Sequence, residues 1–273
     1  MSIRIITADE RLQQQTGIKG QIWGVYGIGK TSLLRTLDPV TTLAIDLEAG
    51  MKAVQDWPGD SISVRTWEEA RDLACWFSGP NPAFRDDQSY SQAHYNHVLA
   101  KLGSSDGLSK YQTVFIDSTT NAARYCLQWA KGQPEAFSDR SGKQDMRGAY
   151  GLLGREITAW VTQWQYIPNL NVWLVGGLEE KSDDFNRRYW HPMIDGSKGA
   201  SELPYIVDEV LTMASLTADD GSPYRGLVCQ TNPWGYPAKD RSGRLDSVEE
   251  PHLGRLMEKI RTLPRTASPP VAI

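Results

Sequence analysis

Residues Gly24 to Thr31 read G-V-Y-G-I-G-K-T, a complete phosphate-binding loop of the G-x-x-x-x-G-K-[ST] form. No other stretch restricts the fold so tightly, because the motif works only where a strand runs into the loop and a helix leaves it. Gly24, Gly27 and Gly29 let the backbone wind closely, so that N–H groups from Val25, Tyr26, Gly27, Ile28 and Gly29 through to Ser32 can turn inward on phosphate oxygens. Lys30 is placed to reach the β/γ-phosphates, and the Thr31 hydroxyl to bind Mg²⁺. Ile18 to Trp23 is apolar enough for the incoming strand. S-L-L-R-T-L after the loop predicts a helix whose N-terminal dipole favours the same anion. The expected ligands are ATP or GTP, with Mg²⁺.

Around the loop, apolar strand-like runs alternate with helical periodicity. Strands are expected at Thr41 to Asp46, Ser61 to Arg65, Gln112 to Asp117, Asn171 to Gly176, Ile206 to Met213 and Arg225 to Thr231. A helix starts behind Thr66, with Glu69 completing a capping box, and others are expected at Ser91 to Leu102, Asn121 to Lys131, Arg147 to Tyr166 and His252 to Leu263. Residues 79–92 read as a surface excursion, 132–146 as a loop and Phe185 to Met193 as a hairpin. Such alternation predicts an α/β fold with a mainly parallel sheet, helices on both faces and late antiparallel strands. The 273 residues suit one domain over 1–265, with a fraying tail at 266–273.

Composition narrows the class further. No apolar run approaches membrane-spanning length, and the N-terminus lacks a signal-peptide layout. Cys75, Cys126 and Cys229 are odd in number and far apart, which argues against a disulfide framework or zinc site and for a reducing cytoplasm. The net charge of −4 excludes nucleic-acid binding driven by bulk charge alone.

A phosphate loop needs a carboxylate to hold Mg²⁺ through water. Asp117, ending the apolar run V-F-I-D, is delivered to the sheet edge where a nucleotide site lies. Hydrolysis also needs a group to orient or deprotonate water. The residue after Asp117 is Ser118 rather than Glu, so the base must come from elsewhere. T-L-A-I-D-L-E-A-G offers Asp46 and Glu48, with Glu48 the candidate base.

Together, Gly24–Thr31, Asp46-Leu47-Glu48 and Asp117-Ser118 resemble the core of the RecA-like ATPases, and the chain looks more specifically like the small RecA-related, "AAA-like" ATPases of tailed phages. The pieces that carry this second likeness are D-L-E-A-G at Asp46 to Gly50, H-P-M-I-D-G-S-K-G-A-S-E-L-P-Y-I-V-D-E-V at His191 to Val210, and P-A-K-D-R-S-G-R-L at Pro237 to Leu245. The resemblance covers roughly residues 18–262. It implies a RecA-like ATPase that assembles into a homo-oligomer and acts in recombination or single-strand annealing. It also implies that Lys239 and Arg241 supply positive charge across a subunit interface. In one place the chain departs from that pattern: Gly176 and Gly177 stand where such proteins carry a polar sensor pair, which puts coupling between phosphate and downstream loop in doubt.

The resemblance further implies that loops 132–147 and 179–199 contact single-stranded DNA. Arg140, Lys143 and Arg147 in the first stand against Glu135, Asp139 and Asp145, and Lys181, Arg187, Arg188 and Lys198 in the second against Glu179, Glu180, Asp183, Asp184 and Asp195, so neither loop is net basic. Tyr189 and Trp190 are a stacking platform or part of a polar hairpin packed on the sheet. Trp160 and Trp164, one helical turn apart, read as a core stripe. Two other readings stay open: a nucleotide kinase, with Asp184 to Arg188 as a poor lid, and a non-catalytic nucleotide-dependent scaffold.

Overall fold

A computed structural model describes residues 5–14, 16–138, 142–230 and 232–262, and for 11–13 and 197–200 the backbone alone. Among these residues the strands are β1 (Lys19–Gly24), β2 (Thr42–Asp46), β3 (Asp60–Ser63), β4 (Thr113–Asp117), β5 (Asn171–Ser182), β6 (Arg188–Pro192), β7 (Glu209–Thr217), β8 (Pro223–Val228), β9 (Lys239–Asp240) and β10 (Val248–Glu249). The helices are α1 (Ala8–Gln13), α2 (Trp67–Ser78), α3 (Gln92–Leu102), α4 (Thr119–Ala130), α5 (Met146–Gln165), α6 (Ser197–Ile206) and α7 (Leu253–Arg261).

The sheet runs β10-β8-β7-β1-β5-β4-β2-β3. From β7 to β3 every neighbouring pair is parallel, while β8 and β10 turn antiparallel. This is the expected α/β architecture. Its centre is fixed by two reciprocal pairs across β1 and β5, Gly20 opposite Trp173 and Trp23 opposite Gly176. A Cβ on Gly20 would lie 2.1 Å from the Trp173 ring, and one on Gly176 would lie 2.1 Å from the Trp23 ring. Each indole therefore occupies the space of an absent side chain. The two tryptophans project to opposite faces, one into each core cluster.

On the Trp23 face, α2 to α6 cover the strands, with Trp67, Trp160 and Trp164 sealed among them. Trp160 and Trp164 are each 1% exposed, so they are core. On the Trp173 face lie the turn after the phosphate loop, through Leu33 and Leu34, and α7, through Leu253, Leu256 and Ile260.

Local signals set most helix starts. Thr66 and Glu69 form the reciprocal capping box, and Ser91 and Ser118 cap α3 and α4. Among the departures from the sequence expectation, three shape the surroundings of the phosphate loop and the hairpin. The segment after the phosphate loop is a six-residue 3₁₀ turn, Thr31–Thr36, in place of a helix. It has no room to lengthen before Asp38-Pro39, and the Thr36 hydroxyl folds back onto Leu33 O at 2.6 Å. A long helix dipole is thus not part of this anion site. α6 was not expected, because Gly199 and an internal Pro204 disguise it. β5 outruns its expected end to Ser182, because residues beyond Gly177 continue as a hairpin with β6. Arg140, the Lys198 side chain and the tail at 266–273 lie outside the described residues.

Candidate nucleotide site

The phosphate loop leaves the end of β1 between two parallel neighbours. Gly27 and Gly29 adopt φ values of +72° and +106°, a left-handed backbone that a side chain would strain. Gly24 packs against β7, where a Cβ would come within 2.9 Å of Met213 O. Ile28 is buried under the loop and Tyr26 stands almost fully exposed at its tip. Lys30 curls over the loop and donates to Gly24 O at 2.9 Å and Val25 O at 3.0 Å. Burial lowers its pKa, while the carboxylates of Asp117 and Glu48 act to raise it.

β2 and β4 bring in the acids. They pair in register, with Asp46 beside Asp117. Thr31 Oγ1 donates to Asp117 Oδ2 at 2.5 Å. Asp46 is spent on the turn that follows β2: its Oδ1 accepts from Glu48 N at 3.1 Å and Gly50 N at 3.0 Å. That turn is further pinned through Leu47 O, which accepts from Asn121 Nδ2 and Tyr125 Oη, each at 3.0 Å. The exposed Glu48 carboxylate then receives a short hydrogen bond from Ser118 Oγ. The motif pair Asp-x-Glu and Asp-Ser is thereby explained: Asp46 shapes the turn, Glu48 projects from it, Asp117 holds Thr31 and Ser118 steadies Glu48. Asn121 and Tyr125 carry no motif and were not anticipated; their role follows from α4 packing against the β2 turn.

Burial pushes the Asp117 carboxyl up to about 6; the Thr31 hydroxyl opposes this, and the charges of Glu48 and Asp46 add to it. A buried carboxylate with anionic neighbours and a hydroxyl in contact is a donor set suited to a hard divalent cation. Space for one exists: a Cβ on Gly50 would stand 3.8 Å from Thr31 Oγ1 and 3.9 Å from Asp117 Oδ2, and glycine leaves that volume open. The residues present therefore fit Mg²⁺ and a triphosphate.

A mainly parallel α/β sheet with a phosphate loop at the end of a central strand, its threonine held by an aspartate two strands away, is the architecture of the P-loop nucleotide-binding fold. The chain belongs to the AAA-domain family, whose model matches residues 16–242. No curated protein matches the chain in sequence. Among solved structures it is similar to a prototypical ATPase from the type III secretion system of pathogenic bacteria, at 12% identity and a TM-score of 0.38, over 90% of this chain and 59% of that one. This chain therefore aligns with less than two thirds of that ATPase's length.

Other expected site residues lie elsewhere. Lys239 and Arg241 sit at the opposite edge of the sheet, where β9 pairs with the first residues of β7. Lys239 Nζ donates to Val207 O at 2.6 Å and Pro204 O at 3.0 Å, and Arg241 binds Asp208 at 2.7 Å. Within this chain they tie α6 to β7 and do not meet the phosphate loop. In the β5–β6 hairpin the cations are matched pairwise: Lys181 with Glu179, Arg187 with Asp183, Arg188 with Glu180. These pairings also remove the free arginines that a kinase lid would need. Trp190 stacks on Tyr236, with ring centroids 5.3 Å apart, so half of the suggested stacking platform is packed into the protein. Gly176 has a packing reason for its identity, the Trp23 ring, and Gly177 N donates to Thr120 Oγ1 at 2.8 Å. Among the described residues, no helix is long and apolar enough to cross a membrane.

Proposed function

We propose that this chain binds ATP with Mg²⁺ and hydrolyses it, with Glu48 as the general base. The observation that carries the reading is the convergence of β2 and β4 on the loop: Asp117 touches Thr31, and Ser118 fixes one oxygen of Glu48, leaving the other to accept a proton. Lys30 exchanges its two loop carbonyls for phosphate oxygens, and Thr31 directly and Asp117 through water would hold Mg²⁺. The cation, when bound, neutralises charge on the β/γ oxygens. Glu48 removes a proton from water as its oxygen attacks the γ-phosphorus; the bond to the bridging oxygen breaks and ADP departs with the electron pair. Ser118 positions the base and takes no proton.

The likeness to RecA-related phage ATPases supports a wider reading, in which the protein self-assembles and acts on single-stranded DNA during recombination or annealing. Because the hairpin charges are paired, contact with DNA on this reading comes from surfaces brought together in an oligomer. A role for Lys239 or Arg241 between subunits belongs to the same reading and rests on that likeness alone.

The test measures phosphate release with and without single-stranded DNA, alongside particle mass by light scattering. The wild type is expected to release phosphate without an added acceptor, faster with DNA, and to be larger than a monomer. Glu48→Gln is expected to bind ATP and to turn over about a hundredfold more slowly or worse. Normal turnover in that variant removes Glu48 as the base; a monomer indifferent to DNA removes the wider reading and leaves the ATPase standing.

A further inference from the structure

The acids of the site all approach the phosphate loop from one side, through β2 and β4 beyond β5. On the other side of β1 stand β7 and β8, and there the loop meets a cation. A Cβ on Gly29 would lie 3.1 Å from Arg225 Nη1 and 3.9 Å from Arg225 Cζ, so the guanidinium rests against the bare α-carbon of the loop's last glycine. Arg225 reaches this place by strand alternation. It is two residues from Leu227, which is buried in the Trp173-face cluster with Ile28, Leu33 and Leu34. Pairing of Arg225 with Ser215 sets it beyond the buried end of β8 on the same face as the loop. The side chain is exposed, and no hydrogen bond or ion pair to a described residue holds its guanidinium. Arg187, Arg188 and Arg241 are each matched to an acid; Arg225 stands against an anion-binding loop and is left open.

We propose that Arg225 is a second phosphate-binding cation acting in cis, gripping the α/β end of the nucleotide's phosphate chain from the side opposite Glu48 and Asp117. The backbone N–H groups of such loops cradle the α/β-phosphates while the lysine reaches β/γ. The guanidinium lies beside Gly29, the residue before Lys30 in that loop, and its planar fork suits two phosphate oxygens at once. Because the α- and β-phosphates are present in both ATP and ADP, Arg225 holds substrate and product alike. It strengthens binding without favouring the transition state.

This inference rests on the nucleotide-site reading above, and the experiment separates the two. Dissociation constants for ADP and for a non-hydrolysable ATP analogue are measured by calorimetry with the full chain, its Arg225→Ala, Arg225→Lys and Lys30→Ala variants, with thermal melts to show that each is folded. Arg225→Ala is expected to weaken both nucleotides by the same factor, about tenfold. Arg225→Lys is expected to recover part of the loss, and the kinetic effect to fall on KM more than on kcat. If Arg225→Ala binds both nucleotides within twofold of wild type while Lys30→Ala does not bind, the role of Arg225 is overturned and the site stands. A loss confined to kcat, with both dissociation constants unchanged, overturns it equally. Wild-type affinity in Lys30→Ala overturns the site and the inference with it.

Discussion

Strand β1 has a lysine near each end, and the two could hardly be used more differently. Lys19 opens the strand 3% exposed, and its ammonium donates to three carbonyls, Leu170 O at 2.6 Å, Ile167 O at 2.8 Å and Gly17 O at 3.2 Å. All three of its hydrogens are taken, by backbone groups of the β1 and β5 approaches. Burial lowers its pKa to about 8, against the pull of Asp208. Lys30, past the other end, has two carbonyl partners, both on the loop it serves, and a third hydrogen free for a ligand. A buried lysine saturated by fixed carbonyls is a fastener; one held loosely by its own loop is a reagent. The same contrast separates the two edges of the sheet. Lys239, Asp208 and Arg241 bind one another's neighbourhoods closely, whereas Lys30, Glu48 and Asp117 gather charge that no protein partner fully answers.

The largest expected effect breaks the comparison at its functional end. Lys30→Ala should weaken ATP binding about a hundredfold or more, with little change in melting temperature. Lys19→Met should do the reverse. With the Ile167 and Leu170 carbonyls left without donors, stability falls by about 3 kcal/mol while nucleotide affinity per folded molecule is kept. Denaturant titration and calorimetry on both variants decide it; equal loss of stability in the two would erase the distinction.

Gly176→Ala comes next. The added methyl meets Trp23, at a cost of about 2 kcal/mol, and Trp23→Leu in the same chain should recover part of that cost. Additive losses in the double variant would show that the two positions do not share the space.

The smallest expected effect is in pH dependence at the far edge. Burial, with the charge of Asp240 beside it, pushes the Glu209 carboxyl up to about 8. Its folded value lies above its unfolded one, so the native state holds the proton more tightly. The contribution is complete below about pH 4.5 and is lost as pH rises toward 8. Glu209→Gln should flatten that slope and be about 1 kcal/mol more stable than wild type at pH 8. An unchanged slope in the melting curves would assign the dependence to other groups.

The sequence made the site more legible than its surroundings, for a physical reason. Phosphate binding depends on consecutive backbone N–H groups, so its signature is contiguous. Asp-x-Glu and Asp-Ser are short because each ends one strand. What was not legible depends on distant pairing. Arg225 is invisible as a site residue until β8 is laid beside β7. Lys239 and Arg241 look free until β9 closes on residues 209–210. The glycine at position 176 has its cause at Trp23, more than 150 positions earlier. Local shortness misled as well: the 3₁₀ turn after Thr31 and the proline inside α6 both contradict the periodicity around them.

The reciprocal fit of Trp23 with Gly176 also limits how this protein can change. A polar group at position 176 cannot be gained by one substitution while the indole stays, and shrinking the indole alone leaves a void in the centre of the sheet. The two positions form one packing unit, to be altered together or kept. Because Trp23 lies one residue before the phosphate loop, a variant that carries a side chain at position 176 weakens the strand leading into its own nucleotide site.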